Sequence, residues 1–357
     1  MQIAKVSRFV VAVLVAVVTA FAVTVKADPP YRVVSDHLQS PRGLAFGPGG
    51  RLYVAQAGSG GMTGKITEIS APSSSSPRVR DVLAGLPSEG GDGEFVGVDG
   101  ISALGNGNIA AIMAESEAGG GPPLFGHLLE VNVAGQWRDV ANVGNYNYAW
   151  SGDHQDLAYG DFPDSNPYGV LAVPGGAFVA DAGTNTLNFV KANGDVSILA
   201  YFPDNPIRDS TPTCIAQGPD RALYVGTLAL VDSILRGPQA IVYRVDPSQA
   251  DPNDLDTVLT LATPWATGLW PINGCAFGPD GSFYASQLFT QFNPNGFPFV
   301  AGDVVKIPFE TPDVHTSLTG GALTVPGGVA VGLDGAVYVS NGSAYVPEGQ
   351  VVRLTNR

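Results

Sequence analysis

PRGLAFGPGGRLYVA, residues 41–55, is the stretch that decides the fold class. It begins with the small apolar run GLAF, continues with the tight-turn sequence GPGG, and ends with LYVA, which is rich in β-forming residues. This order predicts two short strands joined by a turn. A lone hairpin cannot bury both of its faces, so further copies of the unit are expected.

Five further copies of the hairpin follow along the chain: GISALGNGNIAAI, GVLAVPGGAFVAD, CIAQGPDRALYVG, GCAFGPDGSFYAS and GVAVGLDGAVYVS. The first residue of each copy is called here an anchor, and the anchors lie 45 to 69 residues apart. The six anchors are Gly43, Gly100, Gly169, Cys214, Gly274 and Gly328. Such regular self-similarity predicts a repeat architecture.

The segments between hairpins predict what kind of repeat this is. Lys65–Ile69 and 78–83 follow the first hairpin and alternate apolar with polar residues, and 240–245 and 257–261 follow the fourth. Four antiparallel strands per unit, with no helix expected, are typical of a propeller blade. The sequence therefore predicts an all-β, six-bladed β-propeller of four-stranded antiparallel blades. The sixth unit lacks a fourth strand, and Tyr31–Ser35 is predicted to supply it and close the ring.

Residues 1–27 are interpreted as a secretory signal peptide. Lys5 and Arg8 precede an apolar run, and Val25-Lys26-Ala27 resembles a cleavage site. The run is short for a membrane span, although a retained anchor is the alternative. We expect cleavage near Ala27, a secreted or extracytoplasmic location, and a single propeller domain over residues 28–357.

Charge excludes some partners. The net charge is −14, and because residues 1–27 contain three basic and no acidic residues, the remaining chain carries −17. An acidic surface argues against nucleic acid or an anionic membrane as a partner. The expected partner is a small organic molecule or another protein, and the chain is expected to be monomeric.

The two cysteines, Cys214 and Cys275, fall one repeat position apart in neighbouring units. Export would permit a disulfide. The one-residue offset, however, is expected to turn the two side chains to different faces of their strands. Buried free thiols are therefore the favoured interpretation, with a disulfide as the alternative.

The residue before each anchor is expected at the mouth of the central channel, where the inner strand enters from one face, called here the top face. These residues are Arg42, Asp99, Tyr168, Thr213, Asn273 and Gly327. Carboxylate and amide oxygens suit calcium, which makes Asp99 and Asn273 the candidate metal ligands. The charge of Arg42 opposes a cation there. No cofactor is therefore expected, and calcium is kept as the alternative.

Other segments carry weaker signals. The run GGDGE, 90–94, resembles half a calcium loop but lacks the closing glutamate, so it is interpreted as a flexible turn. The acidic segment 153–166 is interpreted as a solvated loop, with a loop calcium site or an acid–base pair as the alternative. No serine-hydrolase elbow, zinc or nucleotide motif is present.

Aromatic residues are concentrated in segments that we expect to be top-face loops. They are Trp150, Trp265, Trp270, Phe289, Phe292, Phe297 and Phe299. Packing onto the blades is the simpler interpretation, and an apolar cleft for a flat ligand is the alternative. If a ligand binds, the candidate binding residues are those where these loops meet the channel mouth: Asp99, Asn166, Tyr168, Trp270, Asn273 and Phe289.

Three stretches resemble the ScyD/ScyE family of exported propellers, which is named for proteins encoded beside the biosynthesis of an indole-phenol pigment. They are QSPRGLAFGPGGRLYVAQAG, DSNPYGVLAVPGGAFVADAGTNTLNFVKANGDVSILAYFP and TPTCIAQGPDRALYVGTLA. More distantly, the repeat resembles NHL-repeat, gluconolactonase and strictosidine-synthase-like propellers. Asn273-Gly274 is similar to a gluconolactonase strand entry, but Arg42 stands where that family has glutamate. The resemblance implies the fold and export, and it supplies no catalytic residues.

Three functions remain open from the sequence. The favoured one is a binding or scaffold protein, with weak catalysis or none, that holds a small organic ligand or a partner on its top face. The second is a calcium-dependent lactonase or a strictosidine-synthase-like hydrolase or synthase. The third is a purely structural interaction module.

Overall fold

A computed structural model describes residues 29–158, 161–203 and 208–355. The predicted signal peptide lies outside the described residues. The described chain forms a six-bladed β-propeller of four-stranded antiparallel sheets, as the repeat predicts. No helix among the described residues combines the length and the apolar character that crossing a membrane requires.

Each blade runs from an inner strand at the central channel to an outer strand at the rim. The strands of blade 1 are Pro41–Gly47, Arg51–Gln56, Gly61–Ser70 and Arg78–Gly91, extended by Glu94–Val96. Those of blade 2 are Val98–Ala103, Ile109–Met113, His127–Val131 and Trp137–Asn142. Those of blade 3 are Pro167–Val173, Gly176–Asp181, Thr186–Lys191 and Val196–Tyr201.

The second half of the ring repeats this plan. The strands of blade 4 are Pro212–Gln217, Leu223–Thr227, Ala240–Val245 and Thr263–Leu269. Those of blade 5 are Ile272–Phe277, Phe283–Gln287, Asp303–Ile307 and Thr316–Ser317. Those of blade 6 are Val329–Val331, Val337–Asn341, Gly349–Leu354 and, as the outer strand, Tyr31–Leu38. A separate two-stranded ribbon pairs Gln291–Phe292 with Phe299–Val300.

The predicted closure of the ring is confirmed. Tyr31–Leu38 pairs antiparallel with Gly349–Leu354, so the first strand of the described chain completes the last blade. Inside the ring, the Gly328 amide donates to the Arg42 carbonyl at 3.0 Å, which joins blade 6 to blade 1. This pairing covers the strand edge that Gly349–Leu354 would otherwise expose.

Two expectations about local structure are wrong. In blade 4, residues 257–261 were expected as the outer strand and the segment containing Trp265 as a top-face loop. Instead, Leu255–Thr260 is an α-helix, and Thr263–Leu269, which contains Trp265, is the outer strand. Helices also occur at Val143–Asp153 and Leu230–Arg236, where none was expected. Short apolar runs such as TVLTL suit a helix turn as well as a strand, so periodicity cannot separate the two.

The blades meet in very close contact at their anchors. A β-carbon on any of the five glycine anchors would lie 2.4–2.9 Å from the carbonyl oxygen of the residue just before the next anchor. The crowded oxygens belong to Asp99, Tyr168, Thr213, Gly327 and Arg42. No side chain fits at that distance, so glycine is what allows the inner strands to approach each other.

The sixth anchor, Cys214, forms a disulfide with Cys275 of the next blade. The favoured expectation of free thiols is therefore wrong. Neighbouring blades pack face to face. A side chain on the face of blade 4 that is turned towards blade 5 therefore meets a side chain on the face of blade 5 that is turned towards blade 4. The one-residue offset supplies those opposite directions, and the Cα atoms lie 5.7 Å apart, within the usual disulfide range.

Candidate functional site

The channel mouth is closed by a layer of side chains that bond to one another across the ring. The Tyr168 hydroxyl donates to Asn273 Oδ1 at 2.9 Å, and Asn273 Nδ2 donates to the Pro326 carbonyl at 3.1 Å. Arg42 Nη2 donates to the Phe95 carbonyl at 2.6 Å, and its Nη1 lies 3.4 Å from the Tyr168 hydroxyl. Residues from blades 1, 3 and 5 thus form one hydrogen-bonded floor.

Asp99 belongs to the same layer. Its Oδ1 accepts the Gly97 amide at 3.2 Å, and its Oδ2 lies 3.9 Å from Arg42 Nε. Neither Asp99 Oδ2 nor Arg42 Nε has a hydrogen-bond partner, although both are buried. Burial raises the pKa of Asp99 to about 6, against the opposing charge of Arg42.

Two cavities lie on either side of this layer. Below it, a channel of about 390 Å³ is enclosed by the six inner strands. Above it, on the top face, lies a cleft of about 530 Å³, called here the top cleft. Arg42, Asp99, Tyr168, Thr213 and Asn273 line both cavities, so they separate one from the other.

The top cleft has an acidic wall and an apolar wall. Its carboxyl groups belong to Glu89, Glu94, Asp99 and Glu115. Its apolar lining consists of Val96, Ala182, Leu228, Leu230, Leu288, Phe299, Val325, Ala344 and Tyr345. A concave apolar surface with a few convergent polar groups is the usual composition of a small-molecule site.

Glu115 is a second strongly perturbed carboxyl group of the acidic wall. Burial, together with the nearby carboxylates of Asp164, Asp99, Asp181 and Glu89, raises the pKa of Glu115 to about 7. Its backbone is left-handed, with φ of 60°. The Glu115 amide donates to Asn166 Oδ1 at 3.0 Å, which fixes this turn. Strongly shifted carboxyl groups in a cleft are typical of functional sites.

The segment interpreted as a flexible turn forms part of the acidic wall. Gly91 pairs with Glu94 in a short hairpin over the cleft. Tyr345 of blade 6 anchors the hairpin, because its amide donates to the Gly93 carbonyl and its hydroxyl contacts the Glu94 carboxylate. The composition of residues 90–94 did not predict this contact with Tyr345, because Tyr345 lies about 250 residues away in the chain.

The six candidate binding residues divide into two groups. Asp99, Asn166, Tyr168 and Asn273 line the top cleft. Phe289 is fully buried, and Trp270 packs against it with ring centroids 5.7 Å apart. Phe289 in turn stacks on the cleft residue Phe299 at 5.2 Å. Both aromatic residues therefore lie behind the apolar wall.

Asp99 and Asn273 do not suit calcium. The Arg42 guanidinium faces the Asp99 oxygen that lacks a hydrogen bond, and Asn273 Oδ1 accepts a hydrogen bond from the Tyr168 hydroxyl. A cation at this layer would have to displace both contacts and sit beside a positive charge. Among residues 29–158, 161–203 and 208–355, no group of three or more acidic, histidine or cysteine side chains has a metal-binding arrangement.

The acidic segment 153–166 contributes mostly structural contacts. His154 stacks on Trp150 with ring centroids 4.2 Å apart, next to the end of the helix Val143–Asp153. The Ser151 hydroxyl donates a hydrogen bond to the Asp164 carbonyl oxygen at 2.9 Å. Of the described residues in this segment, 153–158 and 161–166, only Asn166 lines the top cleft.

The chain matches no protein-family model and no curated protein sequence. Its fold is similar to that of a glucose dehydrogenase-type oxidoreductase from Thermus thermophilus, with 16% identity, a TM-score of 0.58, and 91% of this chain and 99% of that chain covered. It is also similar to a PQQ-bound aldose sugar dehydrogenase from Streptomyces coelicolor, with 14% identity, a TM-score of 0.55, and 90% and 96% covered. A virginiamycin B lyase from Staphylococcus aureus follows, with 12% identity, a TM-score of 0.51, and 91% and 99% covered. These likenesses establish the propeller fold.

Proposed function

We propose that this protein is an exported propeller of the ScyD/ScyE kind that binds a small organic ligand in its top cleft. The observation that carries the proposal is the cleft itself, about 530 Å³ in volume, with an apolar wall, an acidic wall and a closed polar floor. Its volume lies within the range of small-molecule sites. The hydrogen-bonded floor holds the polar groups in place before a ligand arrives, which lowers the entropic cost of binding.

Two observations support export. Residues 1–27 have the composition of a signal peptide. The Cys214–Cys275 disulfide is a bond that persists in oxidising compartments and is rare in the cytosol. Sequencing the amino terminus of the protein recovered from outside the cytoplasm tests the proposal, and a start near Asp28 is expected. Recovery only from the cytoplasm, with Met1 retained, would contradict it.

The binding proposal is tested with two variants, each of which replaces one glycine with tryptophan. Gly91 lines the top cleft and Gly105 lies in a turn on the opposite face, and a β-carbon at either site meets open space. Residues 28–357 are screened by thermal shift against phenols, indoles, amines and lactones. A ligand should raise the melting temperature by a few degrees. Gly91→Trp should abolish that rise by filling the cleft, whereas Gly105→Trp should retain it.

The outcome of this screen separates the candidate functions. If no compound stabilises the protein, or if Gly91→Trp responds like the unmodified chain, the top cleft is not the binding site. A structural interaction module would then be the better description.

Hydrolysis is the second candidate, because Asp99 and Glu115 have pKa values close to neutrality in the same cleft. A carboxyl group tuned in this way can serve as a general acid or base. Purified protein is assayed against a panel of lactones. Turnover that Glu115→Gln abolishes would favour the enzyme, whereas turnover unaffected by Glu115→Gln would exclude Glu115 as its acid or base.

A further inference from the structure

We propose that the ligand of the top cleft is an organic cation, with an ammonium group against the acidic wall and an apolar body against Leu228, Leu288 and Phe299. This inference rests on the proposed function and adds the chemical class of the ligand. Its first support is charge. Among the described residues that line the cleft, four are carboxylic acids and Arg42 is the only cation.

This single basic charge offsets only part of the acidic wall. Arg42 lies on the floor, where its guanidinium is already bonded to the Phe95 carbonyl and paired with Asp99. Within the part of the chain that the structure describes, no basic side chain forms an ion pair with Glu89, Glu94 or Glu115. The mouth of the cleft therefore carries a negative potential that attracts cations and repels anions.

Asp99 provides a second, independent observation. Its side chain is almost completely buried, at 1% exposure, yet Oδ2 accepts no hydrogen bond. A buried carboxylate oxygen without a donor lowers the stability of the folded protein. Asp99 lines the cleft, and its ion-pair partner Arg42 Nε lies 3.9 Å from Oδ2, beyond hydrogen-bond distance. A single ligand N–H group can therefore supply the missing donor without displacing a hydrogen bond, whereas a metal ion held by Asp99 and Asn273 would also have to displace the Tyr168 hydroxyl from Asn273 Oδ1.

The apolar wall determines the rest of the ligand. Leu228 and Leu288 follow the second strands of blades 4 and 5, and Phe299 is supported from behind by Phe289. A small hydrated cation would leave the accessible part of this wall in contact with water. A cation with a ring or chain of several carbons buries the wall while its charge meets the carboxylates.

The experiment compares three probes that share a naphthalene ring and differ in charge. They are 2-(1-naphthyl)ethylamine, 2-(1-naphthyl)ethanol and 3-(1-naphthyl)propanoate, titrated into residues 28–357 by calorimetry at low salt. The pH is kept above the raised pKa of Glu115, so that its carboxyl group is ionised. The amine should bind about tenfold more tightly than the alcohol, and the propanoate more weakly than either. Raising the ionic strength should reduce the preference for the amine, because salt screens the attraction.

Matched variants assign the preference to the acidic wall. Glu115→Gln should weaken the amine about tenfold and leave the alcohol unchanged, because only the amine interacts with the charge. Glu310→Gln removes the same charge at an exposed site outside the cleft and should change neither affinity. If Glu115→Gln does not fold, the double variant Glu89→Gln/Glu94→Gln on the exposed hairpin provides the same comparison.

The possible results separate this inference from the proposed function. If the alcohol binds as tightly as the amine, the inference is wrong and the proposed function stands. If the propanoate binds best, the inference is also wrong. Stoichiometric binding of calcium that displaces the amine would assign the acidic wall to a metal and overturn the inference. Failure of all three probes to bind at millimolar concentration would overturn it as well, and the wider compound screen would still test the proposed function.

Discussion

The inner ring of anchors and the top cleft are neighbours in the fold, but they are built on opposite principles. At the ring, five of six anchors have no side chain, and backbones of neighbouring blades touch. In the cleft, carboxyl groups accumulate and one of them has its pKa raised to about 7. The ring is arranged for stability, whereas the cleft retains groups that oppose each other electrostatically. Functional sites typically contain interactions that lower the stability of the folded protein.

The largest effect should come from opening the ring. A chain that starts at Gln39 lacks the strand Tyr31–Leu38 and exposes the edge of Gly349–Leu354. It also loses the buried side chains Val34 and Leu38. We expect most of the free energy of unfolding, about 5–15 kcal/mol for a typical protein, to be lost, with aggregation through the open edge. Thermal denaturation measures this, and a melting temperature equal to that of a chain starting at Pro29 would contradict it.

The next largest effect should come from the disulfide. The double variant Cys214→Ala/Cys275→Ala removes a cross-link between residues 61 positions apart. Chain entropy predicts a loss of about 4 kcal/mol in the free energy of unfolding. Guanidinium denaturation measures it, and reduction of the unmodified protein should reproduce the loss. If the midpoint does not move in either case, the cross-link contributes nothing to the ring.

A smaller loss should follow when a side chain is forced into the ring. A β-carbon at Gly274 would lie 2.6 Å from the Gly327 carbonyl oxygen, so Gly274→Val must push blades 5 and 6 apart. We expect a loss of about 1–3 kcal/mol by overpacking. Gly105→Val, in open space, is the control for denaturant unfolding. Equal effects of the two substitutions would mean that the inner strands do not pack as described.

In the top cleft, by contrast, a substitution should increase the free energy of unfolding. Because the pKa of Glu115 is raised from 4.5 to about 7, the folded state binds this proton more tightly than the unfolded state. The free energy of unfolding therefore falls as the pH rises through this interval. Glu115→Gln should remove that loss and make the protein about 1–2 kcal/mol more stable at alkaline pH, after allowance for partial exposure.

The pH series gives the control for this prediction. Below the unfolded-state pKa both states are protonated, so at acidic pH Glu115→Gln should have the stability of the unmodified protein. Glu310→Gln, at an exposed position, should show no such pH-dependent difference. A destabilising effect of Glu115→Gln at alkaline pH would contradict the electrostatic description of the cleft.

Much of the site could be predicted from the sequence, but not its walls. Asp99, Asn166, Tyr168 and Asn273 were located because their positions before or near an anchor place them at the channel mouth. Glu115 and Tyr345 were missed, because each follows a second strand in its own blade and carries no motif. The sequence predicted that the Trp270 and Phe289 rings belong to one aromatic cluster. Whether a ring lines a cleft or packs behind its wall depends on its solvent exposure, which the sequence does not give.

The sequence by itself determined the blade, the number of blades and the closing strand. Those features depend on turn chemistry and on alternation along short segments, which are local properties of the chain. Only the tertiary structure decided which side chains meet between blades. The Cys214–Cys275 disulfide, the Arg42–Tyr168–Asn273 floor and the acidic wall each join residues from different blades. Contacts of this kind depend on which faces of neighbouring blades pack together. The one-residue offset between Cys214 and Cys275 was expected to separate the two side chains when each strand was considered alone, but between two packed blades it points them at each other.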